Sequence, residues 1–195
     1  MSSFSDILDE VGGFEIPKQM EKFLHREPPP STSDQTLSYF AYSYELAFGH
    51  LAGAIRDRWH SNGLMQAPLF YLARHSIELH LKWAIEEFES YSGEKSRECG
   101  HNLLALWGEL QKQQFDLADL PGRDDSWGKH VDKLIKHIHN IDPKGDSFRY
   151  PHSIGGKLFA YTRIEFEGLV RAHNHVTGYC GASLDVLGEY RDCYY

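Results

Sequence analysis

Residues 65–92 read MQAPLFYLARHSIELHLKWAIEEFESYS, and this run decides the fold. Phe70, Ala73, Ile77, Leu81, Ala84 and Phe88 recur at spacings of three and four, which is one apolar face of an α-helix. Pro68 falls in the first turn, where its missing N–H costs nothing. The polar stretch YSGEKSRECG (91–100) closes the run. The spacing predicts a helix from about Met65 to Ser92, and an apolar stripe of that length needs other helices to cover it.

Working outward toward the N-terminus, Leu37, Phe40, Tyr44, Ala47, Leu51 and Ile55 predict a helix from Thr36 to His60. Asp34 is a candidate N-cap, and SNG (61–63) ends the helix. EPPPSTSDQ (27–35) breaks any regular element, with three prolines followed by turn and cap residues. It divides the chain into an N-terminal extension with a Pro-rich linker, 1–35, and a helical-bundle domain, 36–195. Phe4, Ile7, Leu8 and Val11, then Met20, Phe23 and Leu24, predict one or two short helices in the extension.

Toward the C-terminus, His101-Asn102 opens a third helix with Leu103, Leu106, Trp107 and Leu110 on one side. DLPGRDD (119–125) is a turn. Trp127, Val131, Leu134, Ile135 and Ile138 mark a fourth helix, and IDPKGDSFRYPHSIGGK (141–157) is an irregular loop. LFAYTRIEF (158–166) suits either a short strand or the start of the last helix. Phe166, Leu169, Val170, Val176, Cys180, Leu184 and Leu187 carry that helix to about Tyr190. Four to five main helices with no convincing strand pair predict an all-α bundle.

At 195 residues the chain is long enough for one core that needs no disulfide or metal. The net charge of −8 counts against a protein that coats nucleic acid, though not against one local basic cleft. Three cysteines, Cys99, Cys180 and Cys193, are odd in number and lack CxxC spacing, so they read as reduced thiols in a cytoplasmic protein. The N-terminal residues lack the basic and apolar regions of a secretory signal. No window approaches the roughly 18 uninterrupted apolar residues of a membrane span, so no membrane partner is expected.

Arg74-His75-Ser76-Ile77-Glu78-Leu79-His80-Leu81-Lys82, followed by Gly100-His101-Asn102-Leu103, resembles a pair of helices from the HEPN superfamily. The shared features are an E-L-x-L-K run, a loop and G-H-x-L at the next helix start. Phe148-Arg149-Tyr150-Pro151 is similar to a segment of some HEPN-like proteins. The resemblance covers about residues 36–190 and implies a HEPN-like bundle with a short N-terminal extension. It implies a metal-independent endoribonuclease of toxin–antitoxin or antiviral defence type, acting as a homodimer. An RNA substrate and an antitoxin or defence-system partner protein go with that reading. It equally covers a catalytically silent module that dimerises or binds a partner protein or nucleotide. The acidic charge and the early position of the R-x4–6-H pattern favour the silent form.

Arg74 and His80 fit that pattern and are the candidate catalytic pair, with Glu78, His75 and Lys82 in support. His80 would exchange the proton of the ribose 2′-hydroxyl, and Arg74 would clamp the phosphate. At ~100° per residue the two lie roughly 120° apart on the helix. They are therefore expected to meet across a two-fold axis rather than within one helix. The competing reading makes Arg74–Glu78 a buried ion pair that fixes helix packing.

Arg149, Tyr150 and His152 are candidates to bind phosphate and stack a base. Alternatively Arg149 pairs with a bundle carboxylate and Pro151 stiffens the turn. His101 either joins them or caps its helix and reaches across to the second one. Lys129, Lys133, Lys136, His130 and His137 form a basic face, either solvated or in contact with RNA.

His137/His139 and His173/His175 point roughly 200° apart on a helix, so neither pair chelates one ion from a single turn. His173 aligns with Phe166, Leu169 and Cys180 as a core histidine with one satisfied nitrogen. The only Glu-x-x-His, Glu98 to His101, falls in a loop, whereas a di-iron bundle needs two on helices. No metal site and no cofactor is expected. G-x-x-x-x-G-K-[ST] and G-x-S-x-G are both absent from the sequence.

Overall fold

In a computed structural model of the chain, residues 35–58, 63–116, 126–152, 155–158 and 164–194 are described. They belong to the second of two units, Met1–Asp34 and Gln35–Tyr195. The expectations for residues 1–34 and for the 119–125 turn lie outside the described residues.

The described residues form an all-α bundle of five main helices. Helix α1 spans Leu37–Ile55 and is capped by Thr36, whose hydroxyl accepts the Tyr39 N–H at 3.2 Å. The cap is thus Thr36 rather than Asp34, because Thr36 holds the extended backbone that aims its oxygen at the first turn. The helix also stops before His60, giving way to a 3₁₀ turn at Arg56–Arg58.

Helix α2 spans Gln66–Ser92 and ends at Gly93, whose φ of 74° lets its N–H close on Glu89 O. Helix α3 spans Leu103–Asp116, with the Asn102 side chain accepting the Ala105 N–H at 3.1 Å. Helices α4, Ser126–Ile141, and α5, Phe166–Tyr194, complete the set. The last helix therefore runs past Tyr190. Among the described residues there is no strand; His152 and Leu158 form one isolated antiparallel bridge.

Helix α2 occupies the middle, packed against α1, α3 and α5, while α4 covers α3 and α5. Its predicted stripe, Phe70, Ala73, Ile77, Leu81, Ala84 and Phe88, is buried throughout. Around it lie Phe48 and Ile55 from α1, Leu103, Trp107 and Leu110 from α3, Val131 and Ile135 from α4, and Val176 and Leu187 from α5. No described helix is long and apolar enough to cross a membrane.

Because α2 is enclosed on several sides, it also buries Arg74, Ser76, Glu78 and His80. Burying such groups is costly unless each finds partners. Where those partners lie defines the site.

Candidate functional site

Arg74 is 3 % exposed and each of its three guanidinium nitrogens donates within the chain. Nη1 donates to Glu78 Oε2 at 3.1 Å, Nη2 to the His101 carbonyl at 2.8 Å, and Nε to the Asp142 carbonyl at 3.1 Å. The Asp142 carboxylate also stands 3.5 Å from Nε. One side chain on α2 therefore touches both the segment before α3 and the end of α4.

Glu78, 1 % exposed, is the centre of the arrangement. Its Oε1 accepts from Lys82 Nζ at 2.8 Å and from His101 Nδ1 at 2.7 Å. Burial alone would raise the Glu78 carboxyl, but Lys82 and His101 bring it below the usual carboxylate range. Two cations, Arg74 and Lys82, thus face two buried carboxylates, Glu78 and Asp142. That balance makes burial tolerable.

His101 differs from its partners because its side chain is 68 % exposed. With Nδ1–H held by the carboxylate, Nε2 is the nitrogen left for other chemistry. His101 does reach across to α2, as one of its sequence readings proposed.

Tyr71, His75, Glu78 and Lys82 share one face of α2, since their spacing of four, three and four keeps them within about 60°. Tyr71 stacks on His75, with centroids 5.5 Å apart, and Tyr44 of α1 meets the His75 ring edge-on at 4.4 Å. Burial lowers the His75 pKa from its ordinary value; Glu78 opposes the shift, and Lys82, Arg149 and Arg74 reinforce it. Burial thus favours the neutral His75 ring, in a field shared by all four groups.

The α4–α5 connection supplies the other wall. Asp142 Oδ1 accepts from the backbone N–H groups of Gly145, Asp146 and Ser147 and from the Ser147 hydroxyl, at 3.0 to 3.2 Å. Arg149 and Tyr150 then donate their N–H groups to Asp146 O, and Phe148 packs on Phe70 at 4.1 Å. This fold carries the Arg149 guanidinium over the Tyr71 ring, 5.8 Å from its centroid, and beside Tyr150 at 5.6 Å. Arg149, Tyr150 and His152 are all exposed.

Arg74, Glu78, Lys82, His101, His75, Arg149 and Tyr150 thus belong to one neighbourhood. His80 does not share their partners. It is 3 % exposed and faces α1, with Nδ1 2.9 Å from Ser76 O and Nε2 3.2 Å from Glu45 Oε2. The backbone of His152 forms the isolated bridge to Leu158, and its side chain is exposed. His173 has both nitrogens partnered rather than one, by Asn174 Oδ1 and Ser76 Oγ. Cys99 and Cys180 are free thiols, and burial pushes Cys180 up to about 12. No group of three metal-ligating side chains is found among the described residues.

Asp142 and Tyr71 were not singled out from the sequence. Asp142-Pro143-Lys144-Gly145 carries the signal for the first, since an aspartate before Pro-x-Gly folds back on the next N–H groups. Comparison of the chain with protein-family models, curated proteins and solved structures found no match to any of them.

Proposed function

We propose that the chain is a HEPN-like bundle that cleaves RNA without a metal, through the ribose 2′-hydroxyl, at the site centred on His101. The observation that carries this reading is the exposed His101 imidazole held through Nδ1 by the buried Glu78 carboxylate, with Lys82 on the same oxygen. A carboxylate that fixes an imidazole's tautomer and orientation prepares its other nitrogen for proton transfer.

In the proposed reaction the 2′-oxygen attacks phosphorus and the bond from phosphorus to the 5′-oxygen breaks. His101 Nε2 takes the 2′-hydroxyl proton. A proton from solvent goes to the departing 5′-oxygen. The products are a 2′,3′-cyclic phosphate and a 5′-hydroxyl. Lys82 and Arg149 supply positive charge for the phosphate, and Tyr71 and Tyr150 offer ring faces to a base. DNA, which lacks the nucleophile, is not cut. A homodimer, an antitoxin or defence partner and a cytoplasmic setting accompany this reading through the HEPN resemblance.

One observation favours the silent-module alternative. Arg74 and His80, the residues of the R-x4–6-H pattern, are both buried and bonded within the chain.

The test is cleavage of a mixed RNA in excess EDTA. His101→Gln is expected to lower the rate by roughly 100-fold or more, the usual contribution of a positioned acid–base group. Arg149→Ala is expected to weaken binding, and His80→Gln to leave the rate per folded molecule intact. Loss with His80→Gln but not with His101→Gln would return the site to the sequence motif. An inactive native protein that still dimerises or captures nucleotide would establish the silent module.

A further inference from the structure

Arg74 bonds to two segments that lie far apart in the sequence. On one side its Nη2 holds the His101 carbonyl at 2.8 Å. On the other its Nε holds the Asp142 carbonyl at 3.1 Å, and the Asp142 carboxylate gathers the N–H groups of Gly145, Asp146 and Ser147. Arg149 and Tyr150 follow directly, bonded to Asp146 O.

Gly145 closes the arrangement. Its φ of 76° lies in the left-handed region, and a Cβ there would stand 2.6 Å from Arg74 Nη1 and 2.9 Å from Cζ. Contacts that short force a shift. The guanidinium is held by three hydrogen bonds, so either it or the 142–147 turn has to give. Glycine at this position serves the turn and also leaves space for the planar cation.

We propose that Arg74 is a positioning residue, seated against Gly145, which sets the placement of His101 relative to Arg149. A planar fork with three separately directed donors can hold two backbone carbonyls and a carboxylate at once; a lysine ammonium cannot reproduce those directions. The consequence for catalysis rests on the reading of His101 and Arg149 given above. The mechanical link between the two segments does not.

The experiment follows the His101 ring signals of the full chain by NMR, identified by their loss in His101→Gln. Gly145→Ala changes no charge and lies on the opposite segment. It is expected to move the His101 signals when Arg74 is present and to have no further effect in an Arg74→Lys background. Arg74→Lys alone is expected to shift the His101 ring and the Gly145, Asp146 and Ser147 amides together. It is also expected to lower kcat for RNA by roughly 10- to 100-fold with KM changed less than about threefold, as displacement of a positioned group does.

If Gly145→Ala does not fold, the joint shift in Arg74→Lys carries the test. His101 signals unmoved by either substitution, in protein that keeps its helical circular dichroism, would overturn the proposal and reduce Arg74 to a packing residue. Cleavage undiminished in His101→Gln, with the joint shift present, would instead remove the catalytic reading and leave the link standing.

Discussion

His173 is sealed between Phe48 of α1, whose ring lies 4.1 Å away, and Ser76 of α2. Burial drives its pKa down to about 4; Asn174 opposes that shift and His80 adds to it. A base depressed in the folded state takes up its proton first in the unfolded chain. The stability it contributes is therefore complete above the ordinary histidine value of 6.5 and is lost as pH falls from there to about 4. The depressed His75 acts in the same direction, and Glu78 adds a loss below the ordinary carboxylate value of 4.5. For His173 alone the loss between pH 7 and pH 4.5 is about 2–3 kcal/mol. His173→Phe removes the titration, so the stability gap between native and variant protein should narrow by about that amount in urea unfolding at the two pH values. Equal gaps at both would show that His173 does not remain neutral.

Helices α2 and α4 show what periodicity can and cannot reveal. In α4, Val131, Ile135 and Ile138 are buried while Lys133, Lys136 and His137 are exposed, so alternation along the sequence gives both the helix and its orientation. In α2 the apolar stripe is legible for the same reason, but the opposite side is also covered. Arg74, Glu78 and His80 are polar letters in buried positions, and no single-helix pattern says which neighbour each meets. Their partners are His101, Asp142 and Glu45, up to 68 residues away, and only tertiary packing joins them. The wheel correctly separates Arg74 from His80, yet it is silent on His101, which looks like an ordinary helix start. The Arg74–Glu78 pair was legible because four residues is one helical turn. The central place of α2 has an energetic consequence. Leu81→Ala empties a fully buried position and should cost about 2–5 kcal/mol. Leu46→Ala on α1, where the leucine is 61 % exposed, should stay within about 0.5 kcal/mol. Thermal unfolding of the two variants checks the contrast, and equal costs would contradict the burial of α2 at its centre.

Across the whole molecule, the acidic charge sets how RNA would have to be held under the proposed reading. A chain of net charge −8 repels a polyanion at long range, so attraction has to come from a few local cations. At the proposed site these are Arg149 and the partly exposed Lys82, itself paired with Glu78 at 2.8 Å, while Arg74 is enclosed by its own carboxylates. Binding of a single strand loses affinity with salt at a logarithmic slope of about −0.7 per neutralised phosphate. Two contacts give a slope of about −1.4, shallow for an RNA-binding protein. Lys133, Lys136, His130 and His137 offer a second basic surface on α4, although Lys136 is paired with Asp132 at 2.6 Å. If that surface also held the strand, each further lysine contact would steepen the slope by about 0.7. The measurement is the affinity for a 2′-deoxy-substituted, uncleavable oligonucleotide from low to moderate salt. Arg149→Ala is expected to reduce the slope by about one phosphate, and Lys133→Ala to leave it unchanged. A steep native slope that falls with Lys133→Ala would move the binding face from the α2 cluster to α4. It would separate where RNA is held from the cleavage site proposed at His101.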